Sequence, residues 1–428
     1  LVQPAILIPG QFPGENFMSA STTQTSELAL LGGSPVAPGV LQLPLWPPIS
    51  DVGEATLVEI YRGRNWSFGG PHEMKFAKEF AEAHDAKFGV FMANGTVTLQ
   101  CALGAYGIGA GDEVIVPALT WPATAMAVLY LGATPVFVDV EASTLCLDPA
   151  AFEAAITSKT KAVIPVHIYG GMANLDEILA ISKKHNLVVV EDCAHAHGGK
   201  WNGKGVGSWG DVGSFSFQQS KTMSSGEGGI CITNDEEIAE RLYRSKHIGY
   251  GDGSKQGVFA GGPPQGLTCY NFRGTEFQAA ILQDQLGGLD ELIETYNHNA
   301  AKIEARLADV PGVRVQSRGA KSTRQSYYTL AAIFDEAPTK EIPLARILEA
   351  IGAEGLWAGG TYGCVYNHAL WNITPEKFRI ADGGCPVSEA TGVERTVVVP
   401  HQFLSGDDAM IEAIGDIFAK VALGAAQL

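Results

Sequence analysis

The sequence predicts an α/β protein built on a mostly parallel central sheet, and three observations carry that expectation. Short β-branched runs at 113–116, 135–140, 162–167, 187–191, 213–217 and 229–233 recur between helical patterns, the alternation that builds parallel sheets. The runs are apolar nearly throughout, as strands covered on both faces are. With 428 residues the chain is also too long for one small core, so two domains are expected.

In chain order, residues 1–17 precede Met18 and are read as an upstream segment outside the fold; they lack the basic start of a secretory signal. Asn94-Gly95-Thr96 is a small-residue turn that opens a helical pattern over 97–106. Residues 114–138 carry no charge and are long enough to span a bilayer. Pro117, Pro122, Gly132 and Pro135 cut that stretch into short buried pieces, so no membrane helix is expected. Asp148-Pro149 is an N-cap followed by proline at the first helical position, starting a helix over 150–156. Over 174–185, Leu175, Ile178 and Leu179 fall at helical spacing with polar residues opposite. Residues 274–310 read as long helix interrupted at Gly287-Gly288. Beyond about 311 the strand runs 327–334 and 396–399 mix with a helix over 408–421. The expected organisation is an N-terminal arm and large domain over 18–285, then a connecting helix and a smaller α+β domain over 286–428.

Composition narrows the function. Hydrophobic residues at 46% and charged residues at 18% are globular values. A net charge of −17 argues against nucleic acid, whose phosphates need clustered Lys and Arg, but not against one phosphate held by backbone N–H groups. The seven cysteines are odd in number and scattered without a C-x-x-C pair, which predicts a reduced, cytoplasmic protein.

Four local signals then fall in one order. Asn94-Gly95-Thr96 presents N–H groups at a helix start, where a phosphate is favoured, although such a turn alone is more often a plain cap. Trp121 follows the strand 113–116 and offers a ring to stack on a planar cofactor; alone, a core Trp is the commoner case. Asp192 ends the run Val188-Val189-Val190-Glu191-Asp192, where ligands of open α/β sheets bind. A buried carboxylate there needs a cationic partner; the alternative is a cap on the next turn. His195 and His197 suggest a metal pair, but no third ligand is evident and no metal is expected. Finally, Ser214-Phe215-Ser216-Phe217-Gln218-Gln219-Ser220-Lys221 delivers a lysine to a polar turn ahead of Gly226-Glu227-Gly228-Gly229. A desolvated lysine there is a nucleophile toward carbonyls, though most lysines are solvated surface residues.

Together with Val190-Glu191-Asp192-Cys193-Ala194-His195-Ala196-His197-Gly198 and Asn271-Phe272-Arg273, these motifs resemble the DegT/DnrJ/EryC1/StrS sugar aminotransferases over 28–423. The resemblance implies the aspartate-aminotransferase-like fold type I, pyridoxal 5'-phosphate as cofactor, and a homodimer with shared active sites. It implies that Lys221 forms the Schiff base, Asp192 pairs with the pyridinium nitrogen and Trp121 stacks on the ring. Gly95, Thr96 and Ser216 would hold the phosphate, with Asn271 reaching it from the other subunit. His195 stands near the ring's 3-hydroxyl, where many members carry Gln. Leu28-Ala29-Leu30-Leu31-Gly32-Gly33 and Pro400-His401-Gln402-Phe403-Leu404 are similar to the cyclitol and aminoshikimate subgroup. The implied activity is ping-pong transfer of an amino group from an L-amino acid, expected to be L-glutamine, to a ketone of a polyhydroxylated ring. The rivals are a 3-amino-5-hydroxybenzoate synthase-like lyase, a sugar 3-dehydratase (against which Lys221 speaks, since His replaces that lysine there), and a cofactor-binding regulator without turnover.

Overall fold

The computed structural model describes residues 27–251 and 261–428, and the segment 1–17 lies outside them. Its main sheet has eight strands, in the order Phe88–Met92, Gly229–Thr233, Val212–Ser216, Val188–Asp192, Thr160–Val163, Glu113–Pro117, Thr134–Val138 and Arg379–Ile380. Gly229–Thr233 runs antiparallel to both neighbours, and every other pairing is parallel. Because side chains alternate along a strand, both faces are apolar. Val114, Val116, Ala162 and Val190 pack on one side, and Ile115, Val163 and Val189 on the other. That is why the strands read as unbroken hydrophobic runs.

The six predicted runs are all strands. The run expected over 162–167 leaves the ladder after Val163 and returns only as a single bridge from Val166 to Asp192. Phe88–Met92 carried no sequence signal that set it apart, and the helices Asp51–Gly63 and Pro71–Ala83 were also unforeseen.

Caps set the helix starts. Asn94, Asp148 and Asn174 each accept a backbone N–H at the heads of Gly95–Ala105, Pro149–Ala155 and Leu175–His185. Thr275 and Gln278 form a reciprocal capping box on Glu276–Leu286. Gly287 and Gly288 separate that helix from Leu289–Leu307, the interruption the sequence predicts. Leu289–Leu307 then packs on Asp408–Leu423, with Ile293, Ile303 and Leu307 in one core with Ile411, Ile414 and Phe418. A four-stranded sheet of Arg314–Val315, Thr329–Ile333, Thr396–Pro400 and Gly359–Gly360 completes this part.

One stretch of the C-terminal half returns to the main sheet. Arg379–Ile380 pairs with Thr134–Val138, and Cys364, Val365, Trp371 and Phe378 pack in the core of Val114, Val116 and Phe137. This brings C-terminal residues to the carboxyl ends of the parallel strands. Among the described residues no helix is long and apolar enough to cross a membrane, and all seven cysteines are free thiols.

Candidate active site

Three strand ends converge. Asn94 is extended (φ −169°, ψ 170°) and its side chain accepts the Val97 N–H at 3.1 Å. The N–H groups of Gly95 and Thr96, in the first turn, have no intrahelical acceptor. Ser216, the last residue of its strand, lies directly against this turn: a Cβ at Gly95 would stand 2.6 Å from Ser216 Cβ. A Cβ at Gly229 would sit 2.5 Å from the Asn94 carbonyl carbon. Thr98 and Ser214 share a 2.6 Å hydrogen bond behind the turn. The helix start, Ser216 and the glycine run are thus one cradle of backbone N–H and hydroxyl groups, suited to a phosphate.

Glu191 and Asp192 are both buried, yet their surroundings differ. Glu191 accepts from the backbone N–H groups of Gly207 (2.8 Å), Trp209 (2.9 Å) and Gly210 (2.7 Å) and from His167 Nε2 (3.1 Å). His167 Nδ1 takes the Ala173 N–H at 3.1 Å, so the ring proton sits on Nε2 and points at the carboxylate. Burial by itself would raise the Glu191 carboxyl, but His167 and the backbone donors outweigh it and hold it below its ordinary value of 4.5. A depressed carboxyl contributes stability that is present above its unfolded value and is lost as pH falls through its lower folded value. Glu191→Gln is therefore expected to cost about 3 kcal/mol in urea melts at neutral pH, as removal of one charge from a buried network does. The gap to the parent should close as the pH drops below about 4.

Asp192 has fewer donors: Thr124 Oγ1 at 2.8 Å and the Ala194 N–H at 3.1 Å. Thr124 is itself bonded to Thr120 at 2.9 Å. Burial raises the Asp192 carboxyl, against the pull of those two donors and of Lys221. A cation placed against it would offset the cost of that burial.

Lys221 follows in the polar turn, its Nζ 4.4 Å from the centre of the Tyr328 ring. Tyr328 OH bonds Ser220 Oγ at 2.9 Å and lies 3.5 Å from Tyr362 OH. Burial opposes ionisation of the Tyr328 phenol, but Lys221 and its hydroxyl neighbours prevail and hold it below its usual range. Burial, with Tyr328 beside it, pushes the Tyr362 phenol well up. Trp121 meets Tyr362 edge-on at 5.2 Å and His368 at 5.6 Å. At 39% exposure it is a partly open residue beside Tyr362 rather than a core residue.

His195 stacks on Tyr328 at 4.0 Å. Its Nδ1 takes the Tyr169 N–H at 3.1 Å, leaving Nε2–H directed at Tyr362 OH, 3.4 Å away. Burial holds the ring far below its usual value and hence neutral. His197 instead donates Nε2–H to the Ser216 carbonyl at 2.9 Å. The two histidines are therefore engaged separately rather than aimed at one ion. His167, Glu191 and Cys193 do place their donor atoms within 4.8 Å of one another, but Glu191 is already filled by the hydrogen bonds above.

Asn271 is exposed. Its neighbour Phe272 accepts the Ala93 N–H at 2.8 Å, so a segment far away in sequence is held beside the residue just before the phosphate turn, with Asn271 at the surface.

A profile of the DegT/DnrJ/EryC1/StrS aminotransferase family matches residues 49–414. The chain belongs to the DegT/DnrJ/EryC1/StrS aminotransferase family. Within the family it is 38% identical over 427 residues to an L-glutamine:2-deoxy-scyllo-inosose aminotransferase of Streptomyces paromomycinus, covering 93% of this chain and 98% of that one. A Streptomyces kanamyceticus protein of the same name is 37% identical over 429 residues, covering 93% and 97%. Other relatives are provisionally named for 3-amino-2,3-dideoxy-scyllo-inosose. Among solved structures, 3-amino-5-hydroxybenzoic acid synthase superposes with a TM-score of 0.79 at 30% identity, covering 89% of this chain and 99% of that one. An aminotransferase from Psychrobacter cryohalolentis gives 0.80 at 30%, covering 89% and 100%. The expected fold type I architecture is therefore the family's. Thr124, Tyr328 and Tyr362 were missed by reading the sequence. Tyr328 stood inside the predicted strand 327–334, where alternation predicts only a core or surface aromatic.

Proposed function

We propose that the chain is a pyridoxal 5'-phosphate-dependent aminotransferase that moves the amino group of L-glutamine to a ketone carbon of a cyclitol. The observation that carries this reading is the convergence of a helix-start cradle, a buried Asp192 held by only two donors, and Lys221 near one set of strand ends, in a chain alike along nearly its whole length to such enzymes. Gly95, Thr96 and Ser216 would hold the phosphate, and Asp192 the protonated ring nitrogen. Trp121 would cover one face. With His195 Nδ1 committed to Tyr169, Nε2–H is the donor its ring can offer the cofactor's 3-oxygen. When bound, the cofactor supplies a conjugated ring that takes up the electrons released as the donor's α-proton departs. Lys221 would hold the cofactor's carbonyl carbon covalently and, once displaced by the donor, carry that proton as acid and base. Water would then release the keto acid, with the amino group retained on the cofactor, before the ketone enters and the same groups work in reverse.

The likeness to 3-amino-5-hydroxybenzoic acid synthase favours one second reading, an aromatising lyase. Incubating the loaded enzyme with L-glutamine and 2-deoxy-scyllo-inosose, and separately with an amino-dehydroquinate, decides between them by mass spectrometry. An aminocyclitol supports the proposal; aminohydroxybenzoate as the product supports the rival.

We further propose a cytoplasmic homodimer, the free thiols suiting a reducing compartment. Leu45 and Ile49 are 96% and 97% exposed, and Val52 and Tyr61 on the adjoining helix are also open, an apolar surface of the kind partners cover. Asn271 would then reach the second subunit's phosphate cradle. Sedimentation of the loaded enzyme should give a dimer, and an Asn271→Ala variant should bind the cofactor more weakly without dissociating. A fully active monomer contradicts this assembly.

A further inference from the structure

The turn carrying Lys221 is held by residues from three distant parts of the chain. Within the turn, the Lys221 N–H donates to the Gln218 carbonyl at 2.8 Å and the Gln219 N–H to the Gly226 carbonyl at 2.9 Å. Gln219 and Ser220 are exposed, so the tip has few packing contacts of its own. Its two following carbonyls are taken from outside. His401 Nε2 lies 3.1 Å from the Ser220 carbonyl oxygen, and the Trp46 indole N–H donates to the Lys221 carbonyl at 3.0 Å.

The hydrogen-bond directions are fixed by elimination. A carbonyl has no proton to give, so His401 Nε2 carries the hydrogen and Nδ1 is bare. The Tyr296 hydroxyl, 2.9 Å from Nδ1, is then the donor. Trp46 meets the His401 ring edge-on at 4.7 Å, and Tyr296 and His401 are both buried. Burial pushes the His401 imidazole down to about 4, which keeps it a neutral link that donates on one side and accepts on the other. Trp46 comes from the N-terminal arm, Tyr296 from Leu289–Leu307, and His401 from the turn after Thr396–Pro400.

We propose that His401, together with Tyr296 and Trp46, is a positioning residue for Lys221: the three fix the backbone from which the lysine side chain extends, so that its amine returns to one place in both halves of the reaction. This rests on the reading of Lys221 given above. The amine leaves and regains its covalent link in every cycle, and only its Cα keeps it near the donor's α-carbon in between. A turn free to shift spreads the amine over several positions, and misplacement by about 1 Å is enough to cost on the order of 10²-fold in rate.

The test compares His401→Phe, His401→Gln and Tyr296→Phe, each loaded with pyridoxal phosphate. Two quantities are read: hydrogen–deuterium exchange of the amides over 217–223, and the single-turnover rate with L-glutamine. In His401→Phe, exchange at the turn should rise, and the rate should fall by about 10-fold or more, with the half-saturating glutamine concentration unchanged. Gln can present an N–H to the Ser220 carbonyl and should recover most of both. Tyr296→Phe removes one hydroxyl and should move both readouts the same way by less. Parent-like exchange and rate in both Phe variants overturn the proposal. So does a loss that tracks Tm alone and is not recovered by Gln. Should His401→Phe fail to fold, Tyr296→Phe and Trp46→Phe carry the same two readouts. Amide exchange does not depend on which lysine binds the cofactor, so a failure of the Lys221 assignment is told apart by borohydride labelling.

Discussion

Replacing Lys221 with Ala is expected to slow the single-turnover reaction with L-glutamine by about 10⁴-fold, because in the proposed mechanism one side chain would perform both the covalent attachment and the proton transfer. The cofactor should still bind, more weakly, since the cradle at Gly95, Thr96 and Ser216 and the carboxylate of Asp192 are untouched. Lys221→Arg should be no better: it keeps the charge over Tyr328 but offers no nucleophile at accessible pH. In the parent, borohydride reduction and peptide mapping should place the cofactor on Lys221. The other candidate by burial is Lys246, but its Nζ is ion-paired with Glu73 and bonded to the Phe91 carbonyl at 2.8 Å, so it is committed to the core. A label found on any lysine but Lys221, or a Lys221→Ala variant that turns over at the parent rate, removes the assignment.

Asp192→Asn tests the chemistry rather than the attachment. The side chain keeps its size and can still meet Thr124 and the Ala194 N–H, so the fold should hold. It loses the negative charge that favours a protonated ring, because opposite charges at short range in a desolvated site stabilise each other. Loss of an electrostatic contact of this kind commonly costs about 10²–10³-fold. Stopped-flow absorbance of the loaded variant mixed with L-glutamine should therefore be slower by at least about 10²-fold. A parent-like rate with cofactor demonstrably bound means that Asp192 is not the ring's partner. Glu191, the adjacent carboxylate, is no ready substitute, because its four hydrogen-bond donors already fill it.

Much of this was legible because the signals are local. The helix-start part of the cradle is one turn, Asn94-Gly95-Thr96. Lys221 sits in a polar turn a few residues beyond a buried strand, and the break at Gly287-Gly288 appears where two adjacent glycines end a helical pattern. Buried parallel strands announce themselves as apolar runs. Arg379–Ile380 did not, since two residues cannot display a period. Tyr328, Tyr362, Trp46, Tyr296 and His401 were invisible as site residues because each reaches Lys221 or its surroundings through a contact between segments far apart in sequence.

The sequence by itself singled out Lys221, Asp192 and the turn at Asn94 as candidates for the chemistry and showed roughly where each lies on its element. The tertiary structure decided which of them are free to do it. Glu191 and Asp192 are neighbouring carboxylates at the end of one strand; the sequence singles out Asp192 by its terminal position and motif, but shows nothing of what surrounds either one. Strand alternation sends them to opposite faces; there, three backbone N–H groups and His167 close around the first, while the second keeps two donors and a lysine nearby. The same holds for His195, whose Tyr169 N–H fixes its tautomer, and for His401, whose ring is oriented by Tyr296 and Ser220. A carboxylate or an imidazole takes its protonation and its direction from the partners around it, and those partners are assembled only when the chain folds.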